Sequence, residues 1–239
     1  MRKIMYIIVL CLSTQVLMAV ESKPTAIKAK KLFVGVHFSP GVAFRTLRLV
    51  KHSNGYPEAY ELYKKYDKPI FGYDLGVNLE YLVNPYIGLQ TGANYSLKGL
   101  EYEAPFSFSS GIATMRYQVH YVDIPLKMKV YAGKGRVKFV GGAGIIFNVA
   151  FGQTNKSKTV ENGKITYQSS HSYFPLPKGP EVFSMSATAS AGIDYKINEL
   201  MGIRIEPAFS HQFIPFAKGG IYTYLWAAGI NVAYYFGVK

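Results

Sequence analysis

Alternation constrains this chain more than any other feature. In FGYDLGVNLEYLVNPYIGLQTGANYSLKGL, the residues Phe71, Tyr73, Leu75, Val77, Leu79, Tyr81 and Val83 share one parity. Gly72, Asp74, Gly76, Asn78 and Glu80 share the other. A period of two belongs to a β-strand with unlike faces. Alternation alone does not say which face meets water. A soluble barrel hides its apolar face inside, whereas a membrane barrel turns it outward to lipid.

Eight such segments can be traced, at about 31–43, 70–83, 86–99, 113–131, 137–152, 183–197, 201–214 and 222–236. Tight turns join them at Asn84-Pro85, at Gly133-Lys134-Gly135 and at Asn198-Glu199-Leu200. The other connections, 44–69, 100–112, 153–182 and 215–221, are longer. Short and long alternate strictly, so all turns fall at one end and all loops at the other. Outer-membrane barrels have this asymmetry, with short periplasmic turns and long extracellular loops.

The distribution of side chains orients the faces. On the last segment the apolar parity runs Tyr222, Tyr224, Trp226, Ala228, Ile230, Val232, Tyr234, Phe236, with rings at both ends and aliphatics between. Tyr73 and Tyr81 bracket the second segment likewise, and Phe183 and Tyr195 the sixth. Amphipathic rings belong at the two membrane–water interfaces. The opposite parity carries Asp74, Glu80, Asp123, Asp194 and Glu206, together with Lys98, Lys127, Lys129, Lys138, Lys196 and Arg204. A dry soluble core would bury these only if nearly every charge were paired. The fold expected is all-β: an eight-stranded antiparallel up-and-down transmembrane β-barrel, apolar side out, with its interior plugged by opposite charges.

The N-terminus is read separately. Arg2 and Lys3 precede an apolar run ending near Ala19 and Val20, the pattern of a cleaved secretory signal over residues 1–20; the barrel domain takes 31–239. A membrane anchor is the alternative, although the run is short for a helical span. Cys11, the only cysteine, lies in that segment, so the exported part offers no disulfide, thiolate metal site or cysteine nucleophile. Net charge is +13, and removing Arg2 and Lys3 leaves 25 basic against 14 acidic residues, or +11. Such an excess favours anionic partners. For an exported chain these are outer-membrane lipid and lipopolysaccharide rather than nucleic acid.

One segment breaks phase. Val122, Ile124, Leu126, Met128 and Val130 share one parity, while Tyr117, Val119 and Tyr121 take the other. A β-bulge near Tyr121-Val122 would reconcile them. No catalytic, cofactor-binding or metal-binding motif stands out. His37 with Ser39 could form a Ser/His pair, although interior hydrogen bonding explains His37 as well. His120 could meet Asp123 if the bulge permits, and His211 falls on the lipid face near the loop end. The loops mix Tyr with Lys and Arg, AYELYKKY suits a short helical turn, and Asn54-Gly55 and Asn162-Gly163 mark turns at loop tips.

Several of these segments resemble one family. FGYDLGVNLEYLV, YIGLQTGANYSLKG, YVDIPLKMKVYAG and VKFVGGAGIIFNVAFG are similar to the PorT-like outer-membrane β-barrel proteins of the Bacteroidota. Shared elements are Tyr-Ser-x-Lys-Gly at Tyr95 to Gly99, an acid-x-Pro-Leu run at Asp123 to Leu126, and glycines at Gly141, Gly142 and Gly144. The acid is Asp123 where Glu is common, and Gly237, Val238 and Lys239 follow the last strand's Phe236. The resemblance implies an outer-membrane barrel, and the family's namesake takes part in a protein secretion system. The function expected is therefore non-enzymatic, structural or binding a partner or surface glycan through its extracellular loops, with an envelope or secretion-system protein as one partner. An outer-membrane enzyme acting on lipid or peptide, a narrow pore, and a soluble lipocalin-like barrel are the alternatives.

Overall fold

The computed structural model describes residues 32–50, 57–105, 111–177 and 180–238. The expected export segment 1–20 and the turn at Asn54-Gly55 lie outside the described residues. Along the chain come β1 (Leu32–Leu49), α1 (Pro57–Tyr66), β2 (Asp67–Lys68), β3 (Ile70–Asn84), β4 (Ile87–Pro105) and β5 (Gly111–Ala132). After these come β6 (Val137–Glu161), β7 (Lys164–Tyr173), β8 (Phe183–Lys196), β9 (Met201–Gln212) and β10 (Ile221–Gly237). Eight of the strands close a ring in the order β4-β3-β1-β10-β9-β8-β6-β5, with β5 pairing back onto β4. The first and last strands meet antiparallel at the seam, from Phe33↔Gly237 to Leu49↔Ile221.

Turn chemistry explains the tight end. The Asn84 side chain accepts hydrogen bonds from the amides of Tyr86 and Ile87, each at 2.8 Å. Asn198 accepts from Leu200 and Met201 in the same way, at 2.8 and 2.9 Å. Between β5 and β6, Gly133 and Gly135 adopt φ of 110° and 85°, a region glycine enters without a steric penalty.

The apolar parity is outside. Val77, Leu79, Ile124, Leu126, Ile205 and Ile230 are among the exposed large side chains, while Asp123, Lys129, Asp194 and Glu206 are buried. This overturns the lipocalin-like alternative, which needs the opposite arrangement.

Three expectations need correction. Several strands run past their expected ends: β1 reaches Leu49, β4 reaches Pro105, and β6 reaches Glu161 before turning at Asn162-Gly163 into β7. Beyond the lipid both faces are wet, so pairing continues without the alternation that reveals it. Nor does a bulge flip β5, because one register relates β4 to β5 throughout, and Val119 and Tyr121 lie inside with Asp123. The irregularity belongs to β6, where His120 pairs with Gly152 but Tyr121 with Ala150, leaving Phe151 as the extra residue. Consequently His120 and Asp123 sit on opposite sides of the wall and do not meet.

Candidate functional site

The interior is built in layers. At the turn end, Arg204 of β9 donates from Nη1 to Glu80 of β3 at 2.8 Å and from Nε to Asp194 of β8 at 3.0 Å. Its Nη2 also donates to the Tyr131 hydroxyl at 2.6 Å, and that hydroxyl in turn donates to Glu80. The Tyr235 hydroxyl donates to Asp194 at 2.8 Å. Above this layer Lys129 reaches both oxygens of Glu206, at 2.6 and 2.8 Å, with each side chain 1% exposed.

Higher still, Asp123 accepts from Ser96 at 2.7 Å, Lys98 at 2.8 Å and Asn148 at 2.6 Å. His37 is held between Asp74 and Asn78, so both ring nitrogens are engaged and none is left for Ser39. Beside these groups lies a polar cavity of about 80 Å³ bordered by Lys127, Asp74 and Ser210. Among the described residues, Lys127 forms no ion pair, nor do Lys138 and Lys196 at the turn-end mouth.

An apolar lid closes the loop end. Leu100, Val119, Tyr121, Ala150, Phe216 and Leu225 form one buried cluster, with Phe44, Leu176 and Ala217 against it. Gln212 pins it, accepting from the Leu225 amide at 2.8 Å and donating to Ser184 at 2.8 Å. The sequence held a signal for this lid: Val119, Tyr121 and Leu225 are apolar residues at the loop end on the otherwise polar parity.

The rings form two belts. Tyr81, Tyr195, Tyr234 and Phe236 are exposed at the turn end. At the loop end Tyr73 contacts Phe38, Phe71 and Tyr95, Trp226 contacts Phe44 and Phe209, and Tyr224 stacks on His211. Tyr222 follows one outward position above Tyr224, opposite Arg48. Tyr73 and Tyr81 are eight residues apart on β3. That is about 26 Å along the strand and about 20 Å along the axis at a tilt of ~40°. This separation suits an outer-membrane apolar band of about 25 Å.

At the loop end, α1 is clamped to the wall by side chains on its inward parity. Arg45 makes a two-pronged contact with Asp67, at 2.7 and 2.8 Å, and lies 4.6 Å over the Tyr63 ring. Tyr63 and Tyr66 both meet Tyr102 of β4 edge-on, at 5.7 and 6.1 Å. Lys64 and Lys65 remain exposed on the free side.

The model of the outer membrane protein beta-barrel domain family matches residues 24–213. The chain belongs to that family. Among solved structures, the Neisserial surface protein A is 10% identical, with 87% of this chain and 97% of that chain covered and a TM-score of 0.41. For OprG of Pseudomonas aeruginosa the values are 12%, 89% and 100%, with a TM-score of 0.39. Ail of Yersinia pestis, solved in complex with the heparin analogue sucrose octasulfate, is 12% identical over 84% of this chain and 98% of that chain, TM-score 0.30. At such identities the likeness concerns the fold alone. No curated protein sequence matches the chain.

Two features of this outer-membrane barrel bear on chemistry. No group of three or more His, Cys, Asp or Glu side chains among the described residues could hold a metal. His211 bonds Thr46 at 3.2 Å within the loop-end belt, while His120 bonds Tyr95 at 2.6 Å and Thr154 at 3.1 Å on the outer wall. Each of these histidines is therefore accounted for by local hydrogen bonding.

Proposed function

We propose that this outer-membrane protein is a closed, non-catalytic barrel whose extracellular portion binds a protein partner or a surface glycan. The clamped helix α1 carries the reading. Holding it through Arg45, Asp67, Tyr63 and Tyr102 pays the ordering cost before any partner arrives, which is how a preorganised binding surface gains affinity. Its free side offers Lys64 and Lys65, with Lys64 5.5 Å from the Tyr60 ring, so anionic or sugar-like groups suit it.

Ion-paired layers and the apolar lid act in series and support a barrel that does not conduct. The resemblance to PorT-like proteins supports the narrower version, a secretion-system component of a Bacteroidota envelope.

The test combines two measurements on the purified full chain. In planar bilayers it should show no stable single-channel openings. Immobilised, it should retain an envelope polysaccharide or protein fraction that a Lys64→Glu, Lys65→Glu variant does not. Reproducible openings would defeat the closed-barrel reading. Equal retention by both proteins would remove α1 as the binding surface.

A further inference from the structure

Above the loop-end belt, β4, β5, β6 and β7 continue as an extension, with the short β2 paired to β4 at its edge. Register aligns Glu101, Arg116, Lys156 and Ser170 in one row across it. Glu103, Thr114, Lys158 and Gln168 form the next.

These rows occupy the outward face. On β5 that face descends through His120 to Val122, Ile124 and Leu126, which are lipid-facing side chains. The extra residue Phe151 is what brings β6 into line. Below it the even-numbered residues Ile146 and Asn148 point inward; above it Gln153 is buried and Lys156 and Lys158 are exposed. Without that one-residue shift both lysines would face the barrel axis.

The charge on this face is only partly compensated. Arg116 is paired with Glu101 at 2.6 Å and Glu103 with Lys68 at 2.8 Å, while Lys156 and Lys158 make no ion pair among the described residues. A groove of about 470 Å³ runs between the rows, lined also by Ser170 and Gln168.

Height selects the ligand. Arg116 lies four residues above His120 on β5. That is about 13 Å of strand and about 10 Å along the axis. Long basic side chains reach down from there to the headgroup layer, which extends about 5–8 Å beyond the hydrocarbon.

We propose that this lateral face binds the phosphate groups of the glycolipid in the surrounding outer leaflet. Lys156 and Lys158 supply charge, Ser170 and Gln168 supply polar contacts, and Glu101 fixes Arg116 at the edge. The face is separate from α1, so the two proposals fail independently.

The experiment places the full chain in phosphatidylcholine nanodiscs doped with either diphosphoryl lipid A or its dephosphorylated form. Lipid retained after detergent release is counted by native mass spectrometry. The wild-type protein should retain the phosphorylated form preferentially. Lys156→Gln with Lys158→Gln should lower that retention by about fivefold or more, one lysine near a charged surface contributing about a factor of five and Lys158, one row higher, adding less. A Lys64→Gln, Lys65→Gln variant should retain it unchanged, and all proteins should keep a heat-shifted compact gel band. Equal retention of the two lipids by wild type, or by wild type and the Lys156/Lys158 variant, would overturn the proposal. Full displacement by inorganic phosphate would overturn it too, by assigning the face to free anions.

Discussion

Arg204 and Glu80, separated by 124 residues in sequence, meet across the barrel interior at 2.8 Å. They come from β9 and β3, which lie three strands apart around the ring. The guanidinium also holds Asp194, so one cation serves two buried carboxylates.

That asymmetry gives unequal mutant costs. Arg204→Ala strands both Glu80 and Asp194 and should cost about 3 kcal/mol or more, lowering the loss of the compact unboiled gel band by roughly 10 °C. Glu80→Ala leaves Arg204 paired with Asp194 and should cost less. Equal shifts for the two variants would contradict this account of the layer.

Lys129 and Glu206 form a nearly solvent-free pair. Lys129→Met or Glu206→Leu alone leaves an uncompensated buried charge, about 3 kcal/mol each. Combined, the two changes remove both charges, and the loss should be well below the sum. Additive losses in urea titration of the refolded barrel would show that the pair is not coupled.

The lid makes a prediction about access. Ser210 lines the cavity one inward position below Gln212, and the only native cysteine is Cys11. A Ser210→Cys reporter should react slowly with a membrane-impermeant thiol reagent added outside cells. Adding Tyr121→Ala should speed it by about tenfold or more, because Tyr121 fills the lid and is 0% exposed. An unchanged rate would mean that Tyr121 does not seal the mouth.

Closure at the seam depends on Gly41. A Cβ there would lie 2.1 Å from the Ala228 carbonyl oxygen on β10. Gly41→Val should therefore abolish the compact band, whereas Gly219→Ala, with nothing within 4 Å of the added atom, should leave it intact. Survival of the band in Gly41→Val would show that the seam relaxes to admit a side chain.

The sequence by itself determined the wall. Parity is a local property, so Val77 and Leu79 had to share one face and Asn78 and Glu80 the other, and lipid outside was the assignment that suited both. Tight turns were equally local, since Asn84 and Asn198 satisfy backbone amides two and three residues ahead. Only the tertiary structure decided which base meets which carboxylate. A polar parity requires no particular partner, and Arg204 finds Glu80 only once ring closure and strand stagger are set. The same holds for Tyr121, whose parity looked like an error in β5 until Leu100, Phe216 and Leu225 from other strands and a loop surrounded it. It holds again for Lys156 and Lys158, whose outward position depends on Phe151 being skipped in a ladder. Above the membrane both faces of a strand are wet, no alternation survives, and pairing alone fixes which way each side chain points.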